Sequence, residues 1–290
     1  MGKMKRISYS QFSQWGRCPY MWKLNYVDKL GTYTDSIHTM FGQAMHETLQ
    51  TYLTVMYNDT IKIADALPLD EMLLHRMKTH YIEIMEKNGG EVFCEQEDME
   101  EFYSHGLAIL DWFKKKRNMY FSKKNYELVG IEVPIEYELP NKIEFIGYMD
   151  VVLHDTFRDR YKIIDIKTAT MGWNKYQKAD KNKTDQLLLY KQFYGKQHDI
   201  PLDKIDVEYF IVKRKLYENV DFPQRRVQIF QPANGTPSIN KVMNNLNQFI
   251  DESFIDGEYN LEHNYIKQPS KKNCRFCEFN QTERCEVGVK

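Results

Sequence analysis

The sequence predicts an α/β (α+β) domain, a central mixed β-sheet flanked by helices and preceded by a helical N-terminal region. Three observations predict it. Apolar residues recur at helical spacing within residues 1–125, runs rich in Val, Ile and Tyr begin at Tyr126, and helical and strand-like segments alternate after residue 183.

Residues 8–28 read as two short helical pieces, the first capped by Ser10 and the second opened by Pro19 at its first-turn position. Residues 37–57 form a stronger helix, with Met40, Phe41, Ala44, Met45, Leu49 and Leu53 at helical spacing. Two further helices are expected at 68–88 and 98–121, joined through Asn88, Gly89 and Gly90. Strands follow at 126–139, 143–153 and 160–168, separated by Pro140-Asn141 and by the turn at 155–160. A helix at 183–197, strands at 205–214 and 224–231 and a last helix at 238–256 complete the pattern. The tail from 257 is irregular and holds Cys274, Cys277 and Cys285. The chain therefore reads as a single domain, 1–290, in three stretches. Residues 1–125 are helical and carry Cys18 and His46, residues 126–256 form a sheet-bearing core, and residues 257–290 form a cysteine tail.

Composition narrows the class. Hydrophobic residues make up 42% and aromatics 14%, enough for a sizeable core and too much for a disordered chain. No apolar run approaches the roughly 20 residues of a membrane helix, so no membrane role is expected. The basic start is followed by Ser8, Ser10 and Gln11, unlike a signal peptide, and an intracellular (cytoplasmic) protein is expected. A net charge of −1 gives no overall field for nucleic acid but leaves room for a local basic groove. Candidate patches are 114–117, 123–124, 213–215, 225–226 and 271–272. No Gly-x-x-x-x-Gly-Lys-Ser/Thr loop occurs, so any helicase or recombination partner is expected to be a separate chain.

The most informative stretch joins Gly147-x-x-Asp150 to Asp165-Ile166-Lys167-Thr168. Asp165 and Lys167 are two apart on a strand and share one face, while Ile164 and Ile166 point into an apolar layer. If 147–154 and 161–168 pair around the turn, Asp150 falls opposite Asp165. Directly opposed residues have Cβ atoms about 4.5–5.5 Å apart, and two carboxylates that close need a cation or a proton between them. Mg²⁺ or Mn²⁺ prefers such oxygen ligands. Lys167 beside the ion can stabilise an anionic transition state or position the attacking water. Gln186 and Tyr190, four apart on a helix, face the same way. Glu132 lies on the strand before the hairpin and reads as a supporting acid or as a plain exposed residue. His46 sits on the 37–57 helix; His38, His75, His80, His105 and His154 carry no comparable context.

Of the five cysteines, Cys94 stands alone among acidic residues. Cys18, Cys274, Cys277 and Cys285 ask for a joint explanation. Disulfides are improbable inside a cell. Zinc takes four thiolates, commonly as two C-x2-C knuckles, of which there is one here. Iron–sulfur clusters take four thiolates at irregular spacing. Either metal would tie the tail to the N-terminal helices.

Taken in order, these motifs resemble the PD-(D/E)xK nuclease superfamily and, more narrowly, its RecB-like exonuclease branch. The resemblance rests on Ser8-Tyr9-Ser10 leading to Cys18-Pro19-Tyr20, on Gly42-x-x-x-His46, on Gly147-x-x-Asp150, on Asp165-x-Lys167, on Gln186-x-x-x-Tyr190, and on the three tail cysteines with Cys18. It covers nearly the whole chain. The iron–sulfur subset of that branch includes AddB-type nuclease domains, CRISPR-adaptation nucleases, and viral and eukaryotic single-strand exonucleases. Asp165 stands where many relatives carry Glu, and the Cys277–Cys285 gap is longer than in the family.

The resemblance implies a restriction-endonuclease-like core at 126–256, with Asp150, Asp165, Lys167, Gln186 and Tyr190 as catalytic residues. It implies Mg²⁺ or Mn²⁺ held by His46, Asp150, Asp165 and the Ile166 carbonyl. It also implies a structural [4Fe-4S] cluster on Cys18, Cys274, Cys277 and Cys285, with Zn²⁺ as the alternative. The expected activity is metal-dependent hydrolysis of DNA from ends or on single strands. The alternatives are a structure-specific endonuclease on the same fold and a non-catalytic DNA-binding or assembly protein. Loss of Asp150, Asp165 or Lys167 would mark the last of these, and all three are present.

Overall fold

The computed structural model describes residues 4–32 and 35–289. In chain order the elements are β1 (Lys5–Ser8), α1 (Tyr9–Arg17), α2 (Pro19–Trp22), α3 (Ile37–Asn58), α4 (Ile61–Asp65), α5 (Leu69–Lys87) and α6 (Gln96–Lys116). The strands β2 (Tyr126–Leu139), β3 (Ile143–Asp155) and β4 (Arg160–Ala169) follow, then α7 (Lys175–Ala179), α8 (Lys181–Gln197), β5 (Ile205–Lys213) and β6 (Val227–Phe230). The chain ends with α9 (Thr236–Ser253), a small hairpin of β7 (Phe254–Ile255) and β8 (Glu258–Tyr259), and α10 (Lys271–Cys274).

The main sheet has six strands, in the order β1-β3-β4-β5-β6, with β2 also paired to β3. It is mixed. β1 runs parallel to β3 and β5 parallel to β4, while β2–β3, β3–β4 and β5–β6 are antiparallel. Each face carries its own apolar layer. On one face Phe145, Met149, Ile163, Val207, Tyr209 and Ile211 meet α1, α2, α8 and α9. On the other, Val151, Leu153, Ile164, Ile166, Phe210 and Val212 meet α3, α5 and α6. The expected α/β (α+β) class with a central mixed sheet is what the chain adopts.

Local chemistry fixes several boundaries. Ser36 caps α3 by accepting a hydrogen bond from the Thr39 N–H (3.3 Å), and the Thr39 hydroxyl accepts one from the Ser36 N–H (2.9 Å). Pro19 opens α2 as expected. Ser10 does not cap α1. The four residues before the helix are held extended by pairing with β3, so the helix starts at Tyr9, its flanking residue is Ser8, and Ser10 lies inside the first turn. The last long helix stops at Ser253, short of 256, because the chain enters the β7–β8 hairpin, whose turn places Gly257 at φ 87°. The helix expected at 98–121 spans 96–116, with a tighter turn at Arg117–Met119.

Trp22 joins the two ends of the chain. It is fully buried. Its ring meets Phe249 of α9, Phe254 of β7, and Tyr259 and Tyr265 of the tail, at centroid distances of 5.2, 5.8, 5.9 and 5.6 Å. Trp22→Ala is expected to lower unfolding free energy by about 3–5 kcal/mol, read from urea denaturation. Trp22→Phe should lose less, because the buried indole N–H, which lacks a partner, goes with it.

Candidate active site

The site is built at a fork in the sheet. β3 pairs with β2 along nearly its whole length. On its other edge it pairs first with β1, over residues 143–146, and then with β4, over residues 151–155. Residues 147–150 lie between these two partners. The register Val151↔Ile164, carried one step further, sets Asp150 against Asp165. There the strands part, and the Ile166 N–H donates to Asp150 Oδ2 at 2.6 Å.

Two glycines let helices close on the fork. A Cβ on Gly147 would lie 2.8 Å from the Tyr190 ring, so α8 rests directly on β3. A Cβ on Gly42 would lie 3.0 Å from Thr168 Oγ1, which brings α3 against the end of β4. Both glycines thus mark close approaches of backbone and side chain.

α3 delivers His46, whose Nε2 lies 2.8 Å from Asp150 Oδ2. One ligand atom each from His46, Asp150 and Glu132 lies within 4.8 Å of the others. The sequence leaves Glu132 at most a supporting acid, yet it belongs to the tightest acidic group among the described residues. Its backbone has φ 50°, a left-handed conformation unusual for a non-glycine residue, close to the register shift in β2. Gln50 holds it in place, donating to Glu132 Oε1 and to the Asp150 carbonyl (3.3 Å).

Asp165 and Lys167 share the α8 face of β4, while Ile164 and Ile166 fill the opposite layer. Lys167 Nζ donates to Asp165 Oδ1 at 3.1 Å. Asp165 Oδ2, 2.8 Å from the same nitrogen, is buried and aligned with no hydrogen-bond partner. Burial and the Asp150 charge push the Asp165 carboxyl up to about 7, against the pull of Lys167 and His46. Burial lowers the His46 and Lys167 pKa values, but the carboxylates around each outweigh it and leave both raised. Tyr190 is pushed up to about 12, chiefly by burial, so it stays a phenol. Gln186 Nε2 donates to its oxygen at 3.0 Å. A buried carboxylate held only by one lysine, next to a His–carboxylate pair, is a donor set that fits a hard divalent cation.

His38, Thr39, Gln43 and Thr168 line the same cleft as His46, Asp150, Asp165, Ile166, Lys167 and Gln186. Sequence reasoning misses His38, although it precedes Gly42 and His46 at four-residue steps on one helix face.

The four cysteines meet at a second pocket, seated against Met21, Leu24 and Phe279. Tyr20 N–H donates to the Ile266 carbonyl (3.2 Å), Gln268 N–H to Cys18 Sγ (3.5 Å) and Asn273 Nδ2 to the Arg17 carbonyl (2.8 Å), stitching the tail to α1 and α2. Burial pushes the Cys277 thiol up, with the other three sulfurs near enough to add to the effect.

Ionising Asp165 destabilises the metal-free fold. Its folded-state pKa lies above the ordinary carboxylate value, so the folded state keeps a proton that the unfolded chain has released. Stability then falls as pH rises from about 4 to about 7. Asp165→Asn should remove that slope and raise the Tm in EDTA at neutral pH, by about 2–4 °C per kcal/mol relieved. Thermal melts of the two proteins across pH check this, and parallel curves would show an unstrained carboxyl.

No curated protein sequence matches the chain. Among solved structures, a crystal structure named "Putative exonuclease" from Eubacterium rectale is similar, with a TM-score of 0.45 and 11% identity over 84% of this chain and 79% of that one. The family model described as the PD-(D/E)XK nuclease superfamily matches residues 6–285, which takes in the cleft and the cysteine pocket. The chain belongs to the PD-(D/E)XK nuclease superfamily, whose nucleases use divalent metals.

Proposed function

We propose that the protein is a divalent-metal-dependent DNA exonuclease that acts on single strands or ends. The observation that carries the reading is the fork, where His46, Asp150, Asp165 and Lys167 line one open cleft. His46, Asp150, Asp165 and the Ile166 carbonyl would hold Mg²⁺ or Mn²⁺, with Glu132 facing them from β2. An ion held there would activate water and neutralise phosphate charge. Lys167, anchored by Asp165, keeps its proton and offers N–H donors to the phosphate as negative charge builds there. Gln186 lines the α8 wall of the cleft, steadied by its bond to the buried Tyr190 hydroxyl, and would meet the substrate strand there. Preference for ends rests on the resemblance of the motif order to the RecB-like exonuclease branch.

The test uses linear and covalently closed single-stranded DNA of one sequence, incubated with Mg²⁺ or Mn²⁺. The linear strand should be degraded, the circle should resist, and EDTA should stop the reaction. Lys167→Ala should lose about 10²-fold or more in rate. Rapid cutting of the circle would favour a structure-specific endonuclease, and a Lys167→Ala variant at the wild-type rate would overturn the site.

The cysteine pocket supports a structural [4Fe-4S] cluster on Cys18, Cys274, Cys277 and Cys285. Thiolates select iron–sulfur or zinc, and oxygen ligands select the hydrolytic cation, so the two centres divide by chemistry. Protein purified without oxygen should be brown and contain about four iron and four sulfide per chain. A colourless active protein with one zinc would replace iron with zinc at the same staple, and four free thiols in active protein would remove the metal altogether.

A further inference from the structure

The cleft continues beyond the proposed metal centre into a smaller pocket. His38 and Thr168 line both, and Phe41, Phe102, Thr170 and Arg214 help to complete the second. Past this pocket stands Lys215. Its position is fixed by backbone bonds. Arg214 N–H donates to the Ala169 carbonyl (2.9 Å) and Lys215 N–H to the Thr170 carbonyl (2.8 Å), so the chain leaving β5 runs beside the end of β4. Lys215 therefore lies next to Thr170, three residues past Lys167, or about 10 Å along extended chain.

Positive charge collects on this ledge. Arg226 Nη1 donates to the Arg214 carbonyl (3.0 Å), which places Arg214, Lys215 and Arg226 together. Arg214 is buried with its guanidinium 3.8 Å from the Phe102 ring centroid. Lys215 is exposed, and its ammonium pairs with Glu101 of α6 at 2.6 Å. Arg214 touches the same carboxylate at 3.1 Å. Lys215, then Arg214, hold the Glu101 carboxyl below its usual range, so it stays charged. Burial and Arg214 hold His105 low, so it adds no cation. Two cations thus meet one exposed carboxylate, with Arg226 held behind them by the Arg214 carbonyl, beside the cleft proposed for phosphodiester chemistry.

Several members of the other basic patches are engaged elsewhere. Lys114 donates to the carbonyls of Asp65 and Leu67, Arg117 pairs with Asp65, Lys123 donates to the Asp59 carbonyl, and Lys272 pairs with Asp180. Lys115 pairs with Asp111 of its own helix, roughly 20 Å along α6 from Glu101 at 1.5 Å per residue.

We propose that the Lys215–Thr170 ledge, with Arg214 behind it, binds a phosphodiester flanking the scissile one, so that the substrate strand leaves the cleft across the ends of β4 and β5. The Glu101 carboxylate occupies Lys215 in the free protein and is displaced by the phosphate. This rests on the reading of the chain as a DNA nuclease.

The test measures binding of a fluorescent linear single-stranded oligonucleotide with Mg²⁺ present, on a Lys167→Ala background, over about 50–200 mM salt. Lys215→Ala should weaken binding severalfold and make the slope of log K against log salt shallower by about 0.7, the value for one phosphate contact on a single strand. Glu101→Gln should tighten binding by freeing Lys215, and that gain should vanish in the Lys215→Ala, Glu101→Gln double variant. Lys115→Ala should change neither quantity. If wild-type protein degrades the strand while the Lys215 and Glu101 variants keep its affinity and slope, the ledge is not the track and the nuclease reading stands. A wild type that neither degrades nor binds the strand overturns both.

Discussion

The structure depends on one strand having two partners on the same edge. β1 and β4 share the edge of β3, one at each end, and cannot both extend into its middle. The backbone there gives up a regular ladder. The Ile166 N–H turns instead to the Asp150 carboxylate, and Asp150 and Asp165 are left facing across the opening. Everything at the site is arranged around this fork. α3 reaches it because Gly42 admits Thr168, and α8 reaches it because Gly147 admits the Tyr190 ring. A side chain at Gly147 would crowd the Tyr190 ring, and one at Gly42 would press on the Thr168 hydroxyl.

Such a fork is electrostatically expensive. Two carboxylates, a histidine and a lysine are drawn into a region closed on two sides by apolar layers. Without an ion, neighbouring groups compensate incompletely. His46 pairs with Asp150 and Lys167 alone answers the buried Asp165 carboxylate. The strained φ of Glu132 adds to the same local cost. The remainder of the fold carries that cost through ordinary means, above all the two apolar layers and the aromatic cluster around Trp22. This cluster also fastens the tail to the N-terminal helices by packing alone, independently of anything the cysteines bind.

Much of this was legible in the sequence. The strand boundaries of the hairpin, the long helix carrying His46 and the facing of Asp150 and Asp165 all follow from period-2 and period-3.6 patterns and from turn residues. These signals are local and act over a few residues. β1 was invisible because four residues with two cations show no alternation, and its strand state comes only from pairing with β3, some 138 residues further on. Ser10 looked like a cap for the same reason: capping chemistry is local, but the start of α1 is set by where that distant pairing ends.

The sequence by itself determined which residue types were available: a glycine-spaced histidine, an acid two residues from a lysine on a strand, and four cysteines in need of a shared partner. Only the tertiary structure decided which of them meet. It brought Glu132 beside His46 through a backbone irregularity that no pattern announces, and it placed His38 in the cleft rather than on an outer face. It also separated the basic patches, committing Lys114 and Arg117 to structural carbonyls and carboxylates and leaving Lys215 beside the cleft, held only by an exposed carboxylate. The physical reason is range. Helix and strand periodicity is written by neighbours along the chain, whereas the geometry of a site depends on side chains brought together by sheet register and helix packing, which the linear order does not encode directly.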